Sequence, residues 1–537
     1  MAATRQRHTR RKPRPNKDRG PSQGPPPASR GVLWLPLAMT LGLVLLSFVQ
    51  RVQNNPVLVW SFWGSAALLV AWQVSLFRRS KALGRSFRTE LRPQHYIQAL
   101  VHLSVYAYWG WYWRPVYDFA WLLTAQLVFA YAFDMLLCWS RRHTYVLGFG
   151  PFPIIFSTNL FLWFRDDWFY LQFLMIAVGF LGKEFVQWHR DGRRTHIFNP
   201  SAFSLGLFSL VLIATDSSNL TWGDQIATTL NLAPNPYLFL FLLGLIVMYF
   251  FSITLVSACA AAALFGLSAL YTSLTGVPFF HDAEIPIAVF LGLHLLVTDP
   301  STSPRTATGK AMFGVLYGLC VFGLYELLGS FGIPTFYDKL LGVPLLNLCV
   351  PAIDQAARAL RRTDQTQPGR LDAIPRRANL AFMAVWVLFF GAMAARSGAT
   401  DGKHTGDSVP FWQEACALDQ RNACRTLALV EVVYCTDGSG WACNEIGLHY
   451  TQGFDVLEPD PEYAAAWFSR ACELGFQPGC ANQRSPEELH RDNPRIRDLR
   501  FLLREGRQNL REMSPEALRA RACDHGWTFA CGDTTTP

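Results

Sequence analysis

Apolar runs separated by short polar or basic stretches recur from residue 31 to about residue 395. A helix that crosses a bilayer needs about 17–25 mostly apolar residues. On that length the pattern predicts spans near 31–50, 56–77, 95–113, 116–139, 145–163, 167–187, 199–214, 236–251, 253–272, 283–298, 311–329, 338–358 and 378–395, thirteen in all. Several are interrupted by Gly or Pro, and the pair within 236–272 must turn with almost no loop. The expected fold is all-α: a polytopic transmembrane helical bundle followed by a small helical domain.

The polar flanks set an orientation. Residues 1–30 are basic, Pro-rich and almost without apolar side chains, so they read as a disordered cytoplasmic tail. Basic stretches at 78–88, 141–143, 189–194 and 361–377 follow or precede alternate spans, and all fall on one side. Lys and Arg accumulate in cytoplasmic loops, so that side is taken as cytoplasmic. An odd number of spans then places everything after residue 395 outside, in a bacterial periplasm or the extracellular space. Composition agrees with lipid as solvent: 51% of residues are hydrophobic and only 16% charged, against about 25% charged in soluble domains. The net charge of +9 sits largely in the tail and loops, so it reads as a topology signal and not as a nucleic-acid surface.

The cysteines test that orientation. Cys138, Cys259, Cys320 and Cys349 lie in apolar runs and read as small buried hydrophobes. The other eight form pairs Cys416/Cys424, Cys435/Cys443, Cys472/Cys480 and Cys523/Cys531, each with seven intervening residues rich in turn formers. Such turns bring the end of one helix to the start of the next, within the ~4.4–6.8 Å Cα separation that a disulfide needs. Zinc sites usually place their cysteines closer together. Disulfides, and hence an oxidising compartment, are expected.

Within this region the stretch 442–480 carries Gly447, Tyr450, Gly453, Ala464, Trp467 and Ala471 around a Pro-Asp-Pro helix start. It resembles the Sel-like, tetratricopeptide-related repeats in their cysteine-rich secreted form. The resemblance covers about 405–537 and implies a surface that binds protein or peptide, with no active site.

Two polar stretches interrupt the membrane pattern. One contains Lys183, His196 and Asn199-Pro200-Ser201; the other contains Thr298, Asp299-Pro300-Ser301, Arg305, Thr306, Thr308 and Lys310. Asn or Asp followed by Pro starts a helix well, and helix starts attract anions such as phosphate. The plain alternative is a pair of ordinary helix caps. Ionisable residues in or near the apolar runs include Asp134, Lys183, Glu184, His294, Asp299 and Glu326; such groups usually face a cavity or pathway.

The run His196–Ala202, the segment Thr298–Pro304 with Thr306–Lys310, and Gly182, Phe313, Gly314 and Gly318 resemble one family of membrane proteins. It comprises the B-type membrane subunit of the sodium-translocating NADH:quinone reductase and the D-type membrane subunit of the Rnf electron-transport complex. The resemblance covers roughly 95–358. It implies two inverted five-helix repeats, bound FMN or riboflavin at the two polar stretches, coupled Na⁺ or H⁺ movement, and partner electron-transport subunits. Family members commonly esterify FMN to a threonine in a loop between the repeats. The matching loop, 221–236, offers Thr229 but lacks the Gly-Ala of the motif; an intact Ser-Gly-Ala-Thr ends at Thr400, where a plain linker is the alternative. No dinucleotide fingerprint or iron–sulfur spacing accompanies these motifs, so NADH oxidation is not expected of this chain. The alternatives are a non-redox transporter-like protein binding a phosphate-bearing ligand, and a membrane-anchored interaction scaffold. The expected division is a tail (1–30), two extra helices and a basic loop (31–94), the ten-helix unit (95–358), a loop, last helix and linker (359–400), and the repeat domain (401–537).

Overall fold

The computed structural model describes residues 34–491, apart from 80–85, 143, 191, 234, 282, 361–373, 398–405, 407–408, 437–438 and 456. The first half of the membrane domain comprises α1 (Leu35–Leu46), α2 (Gln50–Gln53), α3 (Pro56–Arg79), β1 (Ser86–Thr89), α4 (Pro93–Tyr112), α5 (Pro115–Asp118), α6 (Ala120–Arg141), β2 (Thr144–Leu147), α7 (Pro151–Asn159), α8 (Tyr170–Phe185), β3 (Gln187–Arg190), β4 (Arg193–His196), α9 (Pro200–Ala214) and α10 (Gly223–Thr229). The second half comprises α11 (Pro236–Phe251), α12 (Thr254–Thr275), α13 (Ile287–Leu295), α14 (Ala307–Ser330), α15 (Asp338–Leu360) and α16 (Arg376–Ser397). The C-terminal region contributes α17 (Val409–Ala417), α18 (Ala423–Thr436), α19 (Gly440–Gln452), α20 (Pro461–Glu473) and α21 (Gln477–Arg484).

The chain is an integral membrane protein of helical architecture. A helix falls in every predicted apolar run, and among the described residues six are long and apolar enough to cross a bilayer: Pro56–Arg78, Pro115–Arg141, Thr254–Thr275, Ala307–Ser330, Thr335–Leu360 and Arg376–Arg396. Large apolar side chains such as Trp60, Leu68, Leu274 and Leu388 stand exposed on the outer surface, as lipid-facing residues do.

Two of the predicted spans differ from expectation. The runs at 145–163 and 283–298 contain helices of only 9 residues, α7 and α13. At 1.5 Å per residue these are about 14 Å long, half a bilayer core. Each continues as non-helical chain, Leu160–Phe164 and Leu296–Thr306. Such backbone is tolerated at membrane depth only inside protein, and most of both continuations is buried. The end of α7 is held by Asn159, whose amide donates to Gln126 at 2.7 Å and accepts from Gln172 at 3.1 Å. The end of α13 is held by Ser257, whose hydroxyl donates to Leu293 O at 2.6 Å. The half-helix is the third long element in each of two series, α4-α6-α7-α8-α9 and α11-α12-α13-α14-α15.

Loop contacts fall into two sets. On the face bearing the basic loops, β1 pairs in parallel with β2, β3–β4 forms a hairpin, and Arg142 pairs with Glu184. These short strands are additions to the all-helical expectation. On the opposite face, Arg51 meets Asp166 at 2.8 Å and Tyr337 donates to Ser218 at 2.9 Å. Inside, α12 and α14 pack backbone to backbone. A Cβ at Gly314 would sit 2.3 Å from Val256 O, and one at Gly318 would sit 2.8 Å from Ala260 O. Small residues at four-residue spacing let helix backbones meet in this way.

Disulfides join Cys416–Cys424, Cys435–Cys443 and Cys472–Cys480. Each links the end of one helix to the start of the next, as the spacing predicts; Cys523 and Cys531 lie outside the described residues. This domain docks on the C-terminal ends of α12 and α14. Arg425 pairs with Glu326 at 3.0 Å, Asn422 donates to both Glu326 oxygens and to Tyr271, and Val277 is buried in the domain's own core. Replacing Cys435 and Cys443 together by serine is expected to lower the domain's stability by roughly 2–3 kcal/mol. Differential scanning calorimetry with and without reductant reads the loss.

Candidate functional site

The two polar stretches singled out in the sequence meet in space. Pro200 at the first helical position starts α9, and the Asn199 side chain caps it, accepting from Ser201 N at 3.1 Å and Ala202 N at 3.5 Å. The same amide donates to Leu296 O at 2.9 Å, the first residue after half-helix α13. From α15, Asn347 accepts from Asn199 N at 3.1 Å and donates to Thr302 O at 3.2 Å. All seven of these residues are buried. The junction between the two series is thus a closed set of amide hydrogen bonds.

Outward from it lies a more open group. The Ser301 hydroxyl donates to Asp299 at 2.7 Å and stands 2.9 Å from His196 Nε2, which itself lies 3.8 Å from Asp299 Oδ2. Burial pushes the Asp299 carboxyl up, but the nearby His196 imidazole and the bonds from the Ser301 hydroxyl and backbone outweigh it and hold it below the ordinary carboxylate value. Arg190, on the hairpin, pairs with Asp354 at 2.6 Å and donates to Ser303 O at 3.2 Å. Arg305 donates its own amide to Asp354 at 3.3 Å. A carboxylate with a depressed folded pKa stabilises above its unfolded value, about 3.9, and loses that contribution as pH falls through the folded value. Asp299→Asn is therefore expected to lower thermal stability at neutral pH and to flatten the acid limb of the profile below about pH 4, where the unaltered protein has itself lost the contribution.

The remaining predicted residues are distributed as follows. Lys183 is half-buried at the end of α8, its ammonium 5.7 Å from the Phe180 ring. Thr298 is buried and donates to His294 O at 2.8 Å. Thr306 caps α14 through Gly309 N at 3.0 Å, and Thr308 is half-buried on the first turn. Lys310 is buried and donates to Ser252 O at 2.8 Å, closing the turn between α11 and α12. Thr229 is 8% exposed; its hydroxyl donates to Gln225 O and accepts from Trp109 Nε1 at 3.1 Å. Thr400 lies outside the described residues.

These positions test the expected ligands. Of the two helix starts offered to a phosphate, that at Asn199-Pro200-Ser201 is closed by its own cap, and Asp299-Pro300-Ser301 starts no helix, because the chain stays non-helical until α14, which Thr306 caps. A flavin ester at Thr229 does not fit a hydroxyl that is buried and engaged twice. The hairpin and loop do, however, carry buried polar atoms with no partner among the described residues: Trp188 Nε1, Thr195 Oγ1 and Ser303 Oγ. All three can donate, so the chemistry left open around the motifs suits an acceptor-rich ligand or bound water.

Sequence reasoning missed Asn347, Asp354 and Arg190. The available signal was Asn347 and Asp354 seven residues apart, two turns along one side of an otherwise apolar run. It also missed the Gln126–Asn159–Gln172 group, three amides in three different apolar runs.

Two curated proteins share sequence with this chain. The D subunit of the ion-translocating oxidoreductase complex from Actinobacillus succinogenes is 37% identical over 94 residues, 17% of this chain and 24% of the relative. The protein of the same name from Aeromonas salmonicida is 37% identical over 84 residues, 16% and 22%. No family model matches the chain, and no solved structure matches it. The chain thus covers about a quarter of the length of these relatives and resembles them within that portion of an integral membrane protein.

Proposed function

We propose that the chain is a flavin-associated membrane subunit of an ion-coupled electron-transport system, carrying an extracytoplasmic protein-interaction domain. The observation that carries this reading is the meeting of His196 and Asn199 with the Leu296–Ser301 segment at the junction of the two helix series. These are the motifs through which the sequence resembles such subunits, and the similarity to two proteins named for an ion-translocating oxidoreductase complex supports the same class. On this reading residues 95–358 form the electron-transport unit, and FMN or riboflavin is held reversibly near Lys183, His196, Asp299, Ser301 and Arg305. The basic-loop face is cytoplasmic, in a bacterial inner membrane. Residues 401–537 form Sel-like repeats outside, and other subunits supply and remove electrons.

The absorbance spectrum of the detergent-purified protein, before and after acid precipitation, tests this. Flavin released into the supernatant is the expected result. Flavin in the pellet would mean a covalent link, with Thr400 the first position to examine by mass spectrometry. A flavin-free preparation that also takes up no added FMN or riboflavin would refute the redox reading.

The capped helix starts and the engaged Thr229 hydroxyl favour one second reading. In it the same scaffold serves a non-redox membrane protein that binds a small acceptor-rich solute. Solute uptake into proteoliposomes without flavin would decide for it.

A further inference from the structure

The last described helix, α21, ends at Arg484, and the chain then runs without helix to Arg491, back across α19. Three successive residues of that run are held in three different ways. Leu489 packs on Leu448, Ala464 and Phe468. The His490 backbone is gripped at both ends: its N–H donates to Asn482 Oδ1, and its carbonyl accepts from Asn482 Nδ2 at 2.8 Å and from Asn444 Nδ2 at 3.2 Å. Asn482 also donates to Asn444 Oδ1 at 2.8 Å, which fixes the pair. Arg491 Nε lies 3.1 Å from Glu445 Oε2.

Burying two amides and a carboxylate is costly unless each is satisfied. Here both asparagines are fully buried, and they spend their side chains on one stretch of main chain. Main-chain pairing of that kind gives affinity to any extended segment, while flanking pockets select its side chains. The carboxylate is only partly served. Glu445 is 5% exposed, and its Oε1 has no partner among the described residues, while the Arg491 side chain is 60% exposed. Burial pushes the Glu445 carboxyl up to about 8, Arg491 pulling it back and Glu431 adding to the rise. A guanidinium presenting both parallel N–H groups would satisfy both oxygens.

We propose that α19–α21 form a peptide-recognition groove, and that residues 489–491 occupy it in cis in place of a partner's extended segment with an apolar side chain two residues before an arginine. The apolar socket, the asparagine clamp and the carboxylate read consecutive positions of that segment. This deepens the interaction-domain part of the reading above and does not depend on the electron-transport part.

The test uses the full-length protein in detergent. L489A/R491A removes two of the three holds on the cis segment and leaves only the main-chain clamp on His490, and the probe is a fluorescein-labelled Pro-Glu-Glu-Leu-His-Arg peptide read by anisotropy. The opened variant is expected to bind it saturably, and about tenfold or more tighter than the unaltered chain. Glutamine in place of the peptide arginine, or E445Q in the opened variant, should each weaken binding about tenfold or more, the scale of one charge-assisted hydrogen bond. If the opened variant does not fold, the unaltered protein with the same peptide carrying a photo-crosslinker at its leucine replaces it, and labelling of α19 is expected. No saturable binding to a folded opened variant, equal binding of the glutamine peptide, or labelling away from α19 would overturn the proposal and leave 489–491 as a structural cap. Flavin content of the same preparations reports separately on the electron-transport reading.

Discussion

Asn199→Ala is expected to destabilise the membrane domain by about 2–4 kcal/mol, the sum of a lost helix cap at about 1 kcal/mol and a buried carbonyl left unsatisfied at about 1–3 kcal/mol. The cap serves Ser201 and Ala202; the carbonyl is that of Leu296. The two contributions separate by substitution. Asn199→Ser keeps a cap but is too short to reach Leu296 O, so roughly the cap's share should return. Thermal unfolding in detergent, followed by tryptophan fluorescence, reads all three proteins. A loss in Asn199→Ala no larger than that of an exposed cap would show that the link across the junction is not a determinant of stability. Because His196 and Ser301 flank the same link, flavin retention should fall with stability in Asn199→Ala if the proposed function holds.

Gly314→Val should have a comparable or greater effect. Its Cβ would enter the space of Val256 O at 2.3 Å and stand 3.1 Å from Cys259 Cβ. The obstacle is helix backbone, which has no rotamer to escape into, so α12 and α14 must separate. Overpacking costs about 1–3 kcal/mol where side chains can adjust, and this site is expected at or beyond the upper end. Gly323→Val on the same helix is the control, since nothing lies within 4 Å of its Cβ position. Monodisperse recovery from size-exclusion chromatography should drop for Gly314→Val and stay near the unaltered value for Gly323→Val. Equal recovery of the two would remove close packing as the reason for glycine at position 314.

That contrast shows how the motif residues divide. Gly314, Gly318 and Gly182 belong to the family-like patterns, and each faces a close neighbour: backbone of α12 for the first two, and the Phe203 ring, 2.5 Å from a Cβ at Gly182, for the third. Lys310 looks in sequence like an anion-binding cation, yet it closes the α11–α12 turn. Motif resemblance therefore located the junction without distinguishing the residues that build it from those left open to a ligand.

Local pattern was enough to mark the chain as a membrane protein, to place a helix in each long apolar run and to pair three sets of cysteines. These follow from local quantities: apolar run length, residues that start or end helices, and the spacing of thiols across a turn. Tertiary structure alone decided that two apolar runs become half-helices, because backbone may leave the helix in a membrane only where other helices enclose it. It alone brought Asn347 of α15 to Asn199. It alone seated the disulfide domain on Glu326 and Tyr271. The last two depend on partners more than ninety residues away in the chain, a separation over which no periodicity or local motif carries information.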